Sequence, residues 1–196
     1  MNESDIDRLG ELANIGAGHA ATAFAHLVGR PIWMDVPKVY DGSEPFVGNG
    51  SHDEWTTGVI FEFDGYLSAL VGILFRGAAS ETVVRSVVGE PTEPLSPHSI
   101  ESALMEIGNI IASHVASAIA DTVGVRLLPS IPTLAMWDAQ REFQDMIHAR
   151  GGDHTIRIEC ALRDKSDELE GLLVLVPDAV DGVDTTPAGR AGAPSF

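Results

Sequence analysis

The chain has a single cysteine, Cys160. That excludes an internal disulfide and any metal site built from several thiolates. Cys160 lies in a strand-like run and reads as a small buried hydrophobe. Lysine is almost missing: Lys38 and Lys165 stand beside ten arginines, and 12 basic residues face 29 acidic ones, for a net charge of −17. Such a surface repels phosphate backbones and anionic membranes, so nucleic-acid binding is excluded as a function class. No run of 18 or more apolar residues occurs, so no membrane insertion is expected; the longest candidate, Tyr66 to Phe75, is too short to span. Met1 to Arg8 is polar and acidic, the wrong composition for a secretory signal. The expected location is the cytoplasm. The acidic, lysine-poor composition further suggests a high-salt cytoplasm of the halophilic archaeal kind, where screening removes self-repulsion.

What the chain does hold is one passage written twice. Asp7, Glu11, Asn14 and Pro37 recur as Ser102, Glu106, Asn109 and Pro132, each displaced by 95 positions. Between Ser4 and Pro37, 13 of 34 positions are identical at that offset, among them Leu9/Leu104, His19/His114 and Gly29/Gly124. Two unrelated amphipathic helices would match apolar for apolar. They would not also match a carboxylate, a carboxamide, a histidine and a distant proline.

The pattern around this passage also repeats. Ile6 to Val28 reads as a long helix capped by Ser4 or Asp5 and ended by Gly29 and Pro31. Ile32 to Tyr40 is strand-like, and Asp41 to Glu54 is a loop. Thr57 to Asp64 and Tyr66 to Phe75 form a hairpin about Asp64-Gly65. Ala78 to Val88 is a short helix with Val84, Val87 and Val88 on one side, and the proline-bearing stretch Gly89 to Pro97 is a linker. Ile100 to Val123 repeats the long helix and Val125 to Leu134 the strand. Asp138 to Arg150 is an added helix with Phe143, Met146 and Ile147, stopped by Gly151-Gly152. Thr155 to Leu162 and Glu170 to Val176 make the second hairpin. The expected fold is α+β: a pseudo-twofold duplication of helix-strand-loop-hairpin units, about 4–88 and 98–177. Their shared antiparallel sheet carries two long helices in one domain over 1–177, followed by a flexible tail over 178–196.

Residues of a helix advance by about 100° each, so Asp7, Glu11 and Asn14 fall on one stripe. Leu9, Ala13, Gly16, Ala20, Phe24 and Leu27 fall on the opposite side. The second helix sets Ser102, Glu106 and Asn109 against Leu104, Gly108, Ile111, Val115 and Ile119. Both acid–amide pairs should therefore face solvent. An exposed glutamate can accept a charged hydrogen bond from a partner's lysine or arginine. A carboxamide can hold a water by two hydrogen bonds and aim it at phosphorus. Phosphoryl transfer asks mainly for positioning and charge stabilisation. The pair has neither a metal cage nor a nucleophile of its own. It suits a protein acting on a phosphorylated partner that supplies its own Mg²⁺.

The pattern Asp/Ser-x3-Glu-x2-Asn-x22-Pro resembles the signature of the CheC-type chemotaxis phosphatases, and both copies fit in full. NIGAGHAATA at 14–23 and EIGNI at 106–110 are also similar to that family, and the likeness covers about residues 1–177. The resemblance implies hydrolysis of the aspartyl phosphate of the response regulator CheY. It implies Asn14 and Asn109 as catalytic residues and Glu11 and Glu106 as contacts for the regulator's lysine. Asp7 and Ser102 would support the helix start or touch the partner. It implies no cofactor beyond the Mg²⁺ of the regulator. Family members also bind the receptor deamidase CheD. Relatives of the flagellar switch carry a further C-terminal domain, for which this chain has no room. CheX relatives have one site and dimerise, unlike a chain with two.

Other readings compete. A non-catalytic adaptor for CheD or phosphorylated CheY would present the same surface. A glycosidase needs paired carboxylates across a cleft of about 5–10 Å, which outward-facing Glu11 and Glu106 do not suggest. Gly16-Ala17-Gly18 lies inside a helix, unlike a phosphate-binding turn. His19 and His114 lack neighbours for a metal and read as interface or half-buried polar residues. The helix at 138–150 reads as a packing helix rather than a docking one.

Overall fold

The computed structural model describes residues 3–46, 55–65, 67–89, 95–150 and 155–178. Both apolar stripes form long helices, α1 (Glu3–Val28) and α3 (Pro97–Val123). After α1 come β1 (Trp33–Met34), β2 (Lys38–Asp41), β3 (Trp55–Gly65), β4 (Ala69–Arg76) and α2 (Gly77–Val88). After α3 come β5 (Leu127–Pro129), β6 (Thr133–Met136), α4 (Ala139–Arg150), β7 (Ile156–Arg163) and β8 (Glu170–Pro177). The expected α+β class with an antiparallel sheet holds. Gly29 and Gly124 end the long helices at matched positions with φ of +67° and +72°, left-handed values that glycine adopts without strain.

The eight strands form one antiparallel sheet in the order β1-β7-β8-β4-β3-β5, with β2 also on β7 and β6 also on β3. Each outer strand pair thus lies on the hairpin of the other half. The centre is the β4–β8 ladder, from Ala69↔Pro177 to Phe75↔Gly171. A hairpin from either half, alone, would leave its long helix without a complete floor.

Several boundaries differ from the sequence expectation. Helix α1 begins at Glu3, so Ser4 and Asp5 sit inside its first turn and are not caps. Ser96 caps α3, accepting from the Ser99 N–H at 3.1 Å, and Pro97 opens the helix. The runs 32–40 and 125–134 are each broken in two. At the breaks the Asp35 N–H donates to Ala161 O at 2.9 Å and the Ser130 N–H to Glu62 O at 2.8 Å. Pro37 and Pro132 follow two residues later and have no N–H to continue the ladder. On α2 the core side is Val83 and Val84, while Val88 is 48% exposed. Parts of the 41–54 loop and of the 89–97 linker, the stop at 151–152 and the tail from 179 lie outside the described residues.

Helices α1, α2 and α3 cover one sheet face and α4 the other. The larger core sits beneath the long helices, with Ala17, Ala20, Phe24, Leu104, Ile107, Ile111 and Ile119 fully or almost fully buried. Each large apolar side chain so buried contributes about 1.5–3 kcal/mol. Helix α3 is long and apolar enough to cross a membrane by length and composition, and half of that window is buried in the fold. It is the one helix among the described residues that passes that test. Beneath α4, Phe143 lies so close to Gly72 that a Cβ there would stand 2.7 Å from its ring. The reading of α4 as a packing helix holds: Ala139, Phe143 and Ile147 are buried and Met146 half-buried. Burial pushes the Cys160 thiol up to about 12, with Asp35 adding to the shift, so it stays protonated at neutral pH.

The charged turn between β7 and β8 is organised by Asp164. Burial alone would raise its carboxyl. Hydrogen bonds from Ser166 Oγ (2.9 Å), the Leu169 N–H (3.2 Å) and Arg30 (3.0 Å) outweigh that and hold it below the usual carboxylate range. A depressed folded pKa stabilises above the unfolded value and is lost as pH falls through the folded one. Asp164→Asn should therefore melt below the parent at pH 6. The gap should close as pH falls below about 4, where the carboxyl of the unfolded chain protonates while the folded one still holds its charge, and on through the lower folded value. Melting curves against pH check this; a gap that widens in acid would contradict it.

Candidate functional site

The Glu–Asn stripes are built by helix periodicity alone. With Leu9, Ala13, Gly16, Ala20 and Phe24 turned onto the sheet, Asp7, Glu11 and Asn14 must turn outward, and all three are exposed. In α3, Leu104, Gly108, Ile111, Val115 and Ile119 are buried, while Ser102, Glu106 and Asn109 are exposed. Among the described residues, the side chains of Glu11, Asn14, Glu106 and Asn109 make no hydrogen bond or ion pair. Their polar atoms are free for a visitor.

The structure keeps the two stripes apart. Matched residues Phe24 and Ile119 lie toward opposite ends of the β4–β8 ladder. Phe24 meets Phe75 at 5.8 Å between ring centroids, while Ile119 shares a small void with Val71 and Leu175. The helices therefore run in opposite directions and touch where Gly16 meets Val115, whose Cγ1 would stand 3.0 Å from a Cβ there. This contact is also what Gly16 is for; it forms no phosphate loop. At a rise of about 1.5 Å per residue, Asn14 and Asn109 are on the order of 15 Å apart along the helix axes. One phosphoryl group could meet only one of them.

The second pair depends on Gly108, its neighbour on the helix. A Cβ on Gly108 would stand 2.4 Å from Val59 Cγ1 and 2.7 Å from Val59 Cβ. These atoms belong to a short, β-branched side chain in a buried strand and cannot swing aside. Gly108→Ala is expected to cost about 2–3 kcal/mol and to lift Glu106 and Asn109 with the helix. The melting midpoint should fall by roughly 5–10 °C. An unchanged midpoint would contradict this packing.

His19 and His114 are exposed rather than half-buried, and no group of three metal-ligating side chains occurs among the described residues. One feature of the surface escaped the reading of the sequence. Apolar side chains stand exposed on the outer strand pairs: Trp33 and Val36 on one edge, Leu128 and Ile131 on the other. The signal was present, because the same offset of 95 relates Trp33 to Leu128 and Val36 to Ile131.

Solved structures share this fold. Thermotoga maritima FliY superposes with a TM-score of 0.66 at 17% identity, covering 93% of each chain. CheX in a CheX–CheY complex with BeF₃ and Mg²⁺ from Borrelia burgdorferi gives 0.58 at 12%, covering 83% of this chain and 94% of that one. The architecture is thus the fold of these two proteins. The sequence goes further. The profile of the CheC-like family matches residues 6–40 and 100–135, the two segments that carry the Glu–Asn pairs and their prolines. The CheY-P phosphatase CheC of Bacillus subtilis is 31% identical over 188 residues, 91% of this chain and 90% of that protein. The chain belongs to the CheC-like family.

Proposed function

We propose that this chain hydrolyses the aspartyl phosphate of a CheY-like response regulator, one regulator at each Glu–Asn pair. The observation that carries the reading is the outward position of both pairs on antiparallel helices, with no described partner of their own. The kinship with a named CheY-P phosphatase supports the reaction class.

In this reading Glu11 or Glu106 accepts a charged hydrogen bond from a lysine beside the phosphoacceptor aspartate of the regulator. That contact orients the regulator so that Asn14 or Asn109 reaches the phosphoryl group. The carboxamide holds a water in line with the bond to be broken. The water oxygen attacks phosphorus and the P–O bond to the aspartyl carboxylate breaks. Inorganic phosphate and free carboxylate leave, and the water gives up a proton. Asp7 and Ser102, one helical turn before each glutamate, border the docked partner. The divalent ion that spreads the phosphoryl charge belongs to the regulator.

The test is phosphate release from a phosphorylated CheY-type regulator with and without the chain. The chain is expected to accelerate release in Mg²⁺. Chelating the ion with EDTA should abolish the acceleration without unfolding the chain. Binding of the phosphorylated regulator with no acceleration would leave an adaptor, for the regulator or for the deamidase CheD, as the better account.

A further inference from the structure

Among the described residues, six of the seven exposed large hydrophobic side chains lie on or beside the two outer strand pairs: Trp33, Val36 and Val39 on the β1–β2 side, Leu128, Ile131 and Trp137 on the β5–β6 side. The seventh, Val88, is on α2. Single exposed apolar residues are ordinary, but two clusters at related positions are not. Val36 is 78% exposed and Ile131 89% exposed, and each immediately precedes its signature proline. Trp33/Leu128 and Val36/Ile131 are displaced by the same 95 positions as the Glu–Asn pairs, so each half carries its apolar residues at the same spacing from its own pair.

The fold sets each apolar cluster beside its own Glu–Asn pair. Gly18 on α1 lies against Met34 of β1, with a Cβ there 3.8 Å from the Met34 sulfur. From that contact α1 runs back to Asn14 while the strand runs on to Val36 and Val39, in the same direction along the sheet. On the other edge Gly108 rests on Val59, which pairs with Leu134 of β6. Trp137 follows three residues on. It is 84% exposed and has φ of +81°, a left-handed value costly for a bulky side chain, and burial returns nothing for it. Glycine, Gly42, stands at the matched position of the first half.

We propose that the two outer strand pairs are apolar docking rims for the phosphorylated regulator, one beside each Glu–Asn pair, with Trp137 enlarging the second. The inference rests on the regulator-dephosphorylating reading above. The occupant is the regulator and not a second copy of this chain for two reasons. Two copies with a net charge of −17 repel. The edges are also poor templates for strand addition, being short and interrupted at Pro37 and Pro132.

The experiment measures phosphate release against the concentration of a phosphorylated CheY-type regulator, in two backgrounds that each leave one site complete. In Asn14→Ala, where only the second site works, Ile131→Asp should raise KM about tenfold with kcat within about twofold. In Asn109→Ala the same change should do little, and Val36→Asp should show the mirror pattern. Trp137→Gly should raise KM at the second site while its melting midpoint stays level or rises. Val88→Asp should alter neither site. Unchanged KM, or equal increases in both backgrounds, would overturn the proposal. So would light scattering that found a dimer dissolved by Ile131→Asp, since the edges would then serve self-association. No turnover by the parent would overturn the hydrolase reading and this one with it. Turnover with indifferent edges would overturn only the rims.

Discussion

Asn14→Ala together with Asn109→Ala is expected to bring phosphate release down to the regulator's own rate. Each single change should leave a fraction, because the helices hold two pairs on the order of 15 Å apart along their axes and neither completes the other. The effect is expected in kcat more than in KM. In the proposed mechanism the carboxamide matters once water is being aimed at phosphorus, whereas docking draws on the glutamate and the surrounding surface. Removing a positioning group of this kind costs on the order of 10²-fold. Both asparagines are exposed and unbonded among the described residues, so their loss should not unfold the chain. Asparagine at a solvent-facing helix position is a poor helix former, so alanine there should if anything raise the melting midpoint. A double variant that folds normally and still releases phosphate at the parent's rate would refute the roles given to these residues. A fall in KM-dependent binding alone would assign them to docking.

Arg157→Met is expected to have the largest effect on stability. Arg157 is fully buried on the sheet face under α4. Its guanidinium pairs with Glu159, itself 1% exposed, and donates to the carbonyls of Glu44 at 3.0 Å, Pro45 at 3.1 Å and Gly42 at 3.4 Å. It also lies 4.1 Å from the centroid of the Phe46 ring. One side chain thus holds down the loop after β2 and neutralises a carboxylate that water cannot reach. Methionine keeps much of the volume but takes the guanidinium away from buried Glu159 and leaves three carbonyls without that donor. Breaking a buried pair in this way costs about 3–5 kcal/mol. The melting midpoint should fall by roughly 10 °C or more. Arg157→Met with Glu159→Met should recover part of the loss, because two apolar residues cost less than a buried carboxylate that has lost its guanidinium. Equal melting of the single variant and the parent would show that the pair is not held as described.

How much of this was legible from residues alone depended on how local each cause was. The long helices and the faces they bury follow from spacing that one helix can decide for itself, which is why Glu11, Asn14, Glu106 and Asn109 came out exposed as expected. The prolines at 37 and 132 could have split the strand-like runs, since proline cannot donate to a ladder. The crossing of outer strands onto the opposite hairpin was not legible, because no residue in 33–41 names β7 as its partner. Gly108 was hidden by the repeat itself. Its counterpart is Ala13, so the sequence suggests tolerance where Val59 forbids it. Arg157 and Glu159 lie in the run Thr155 to Leu162, and nothing local marks them as buried, because α4 and the 42–46 loop that cover them are distant in sequence. Val88 was misread for a similar reason: three apolar residues fit one side of α2, but the core reaches only part of that side.

The most direct measurement is the structure of this chain bound to a CheY-type regulator carrying Mg²⁺ and a beryllofluoride phosphoryl mimic. The predicted result sets the carboxamide of Asn14 or Asn109 within hydrogen-bond reach of a water in line with the mimic, and Glu11 or Glu106 on a lysine of the regulator. A regulator seated elsewhere, with both acid–amide stripes still open to solvent, would contradict the account.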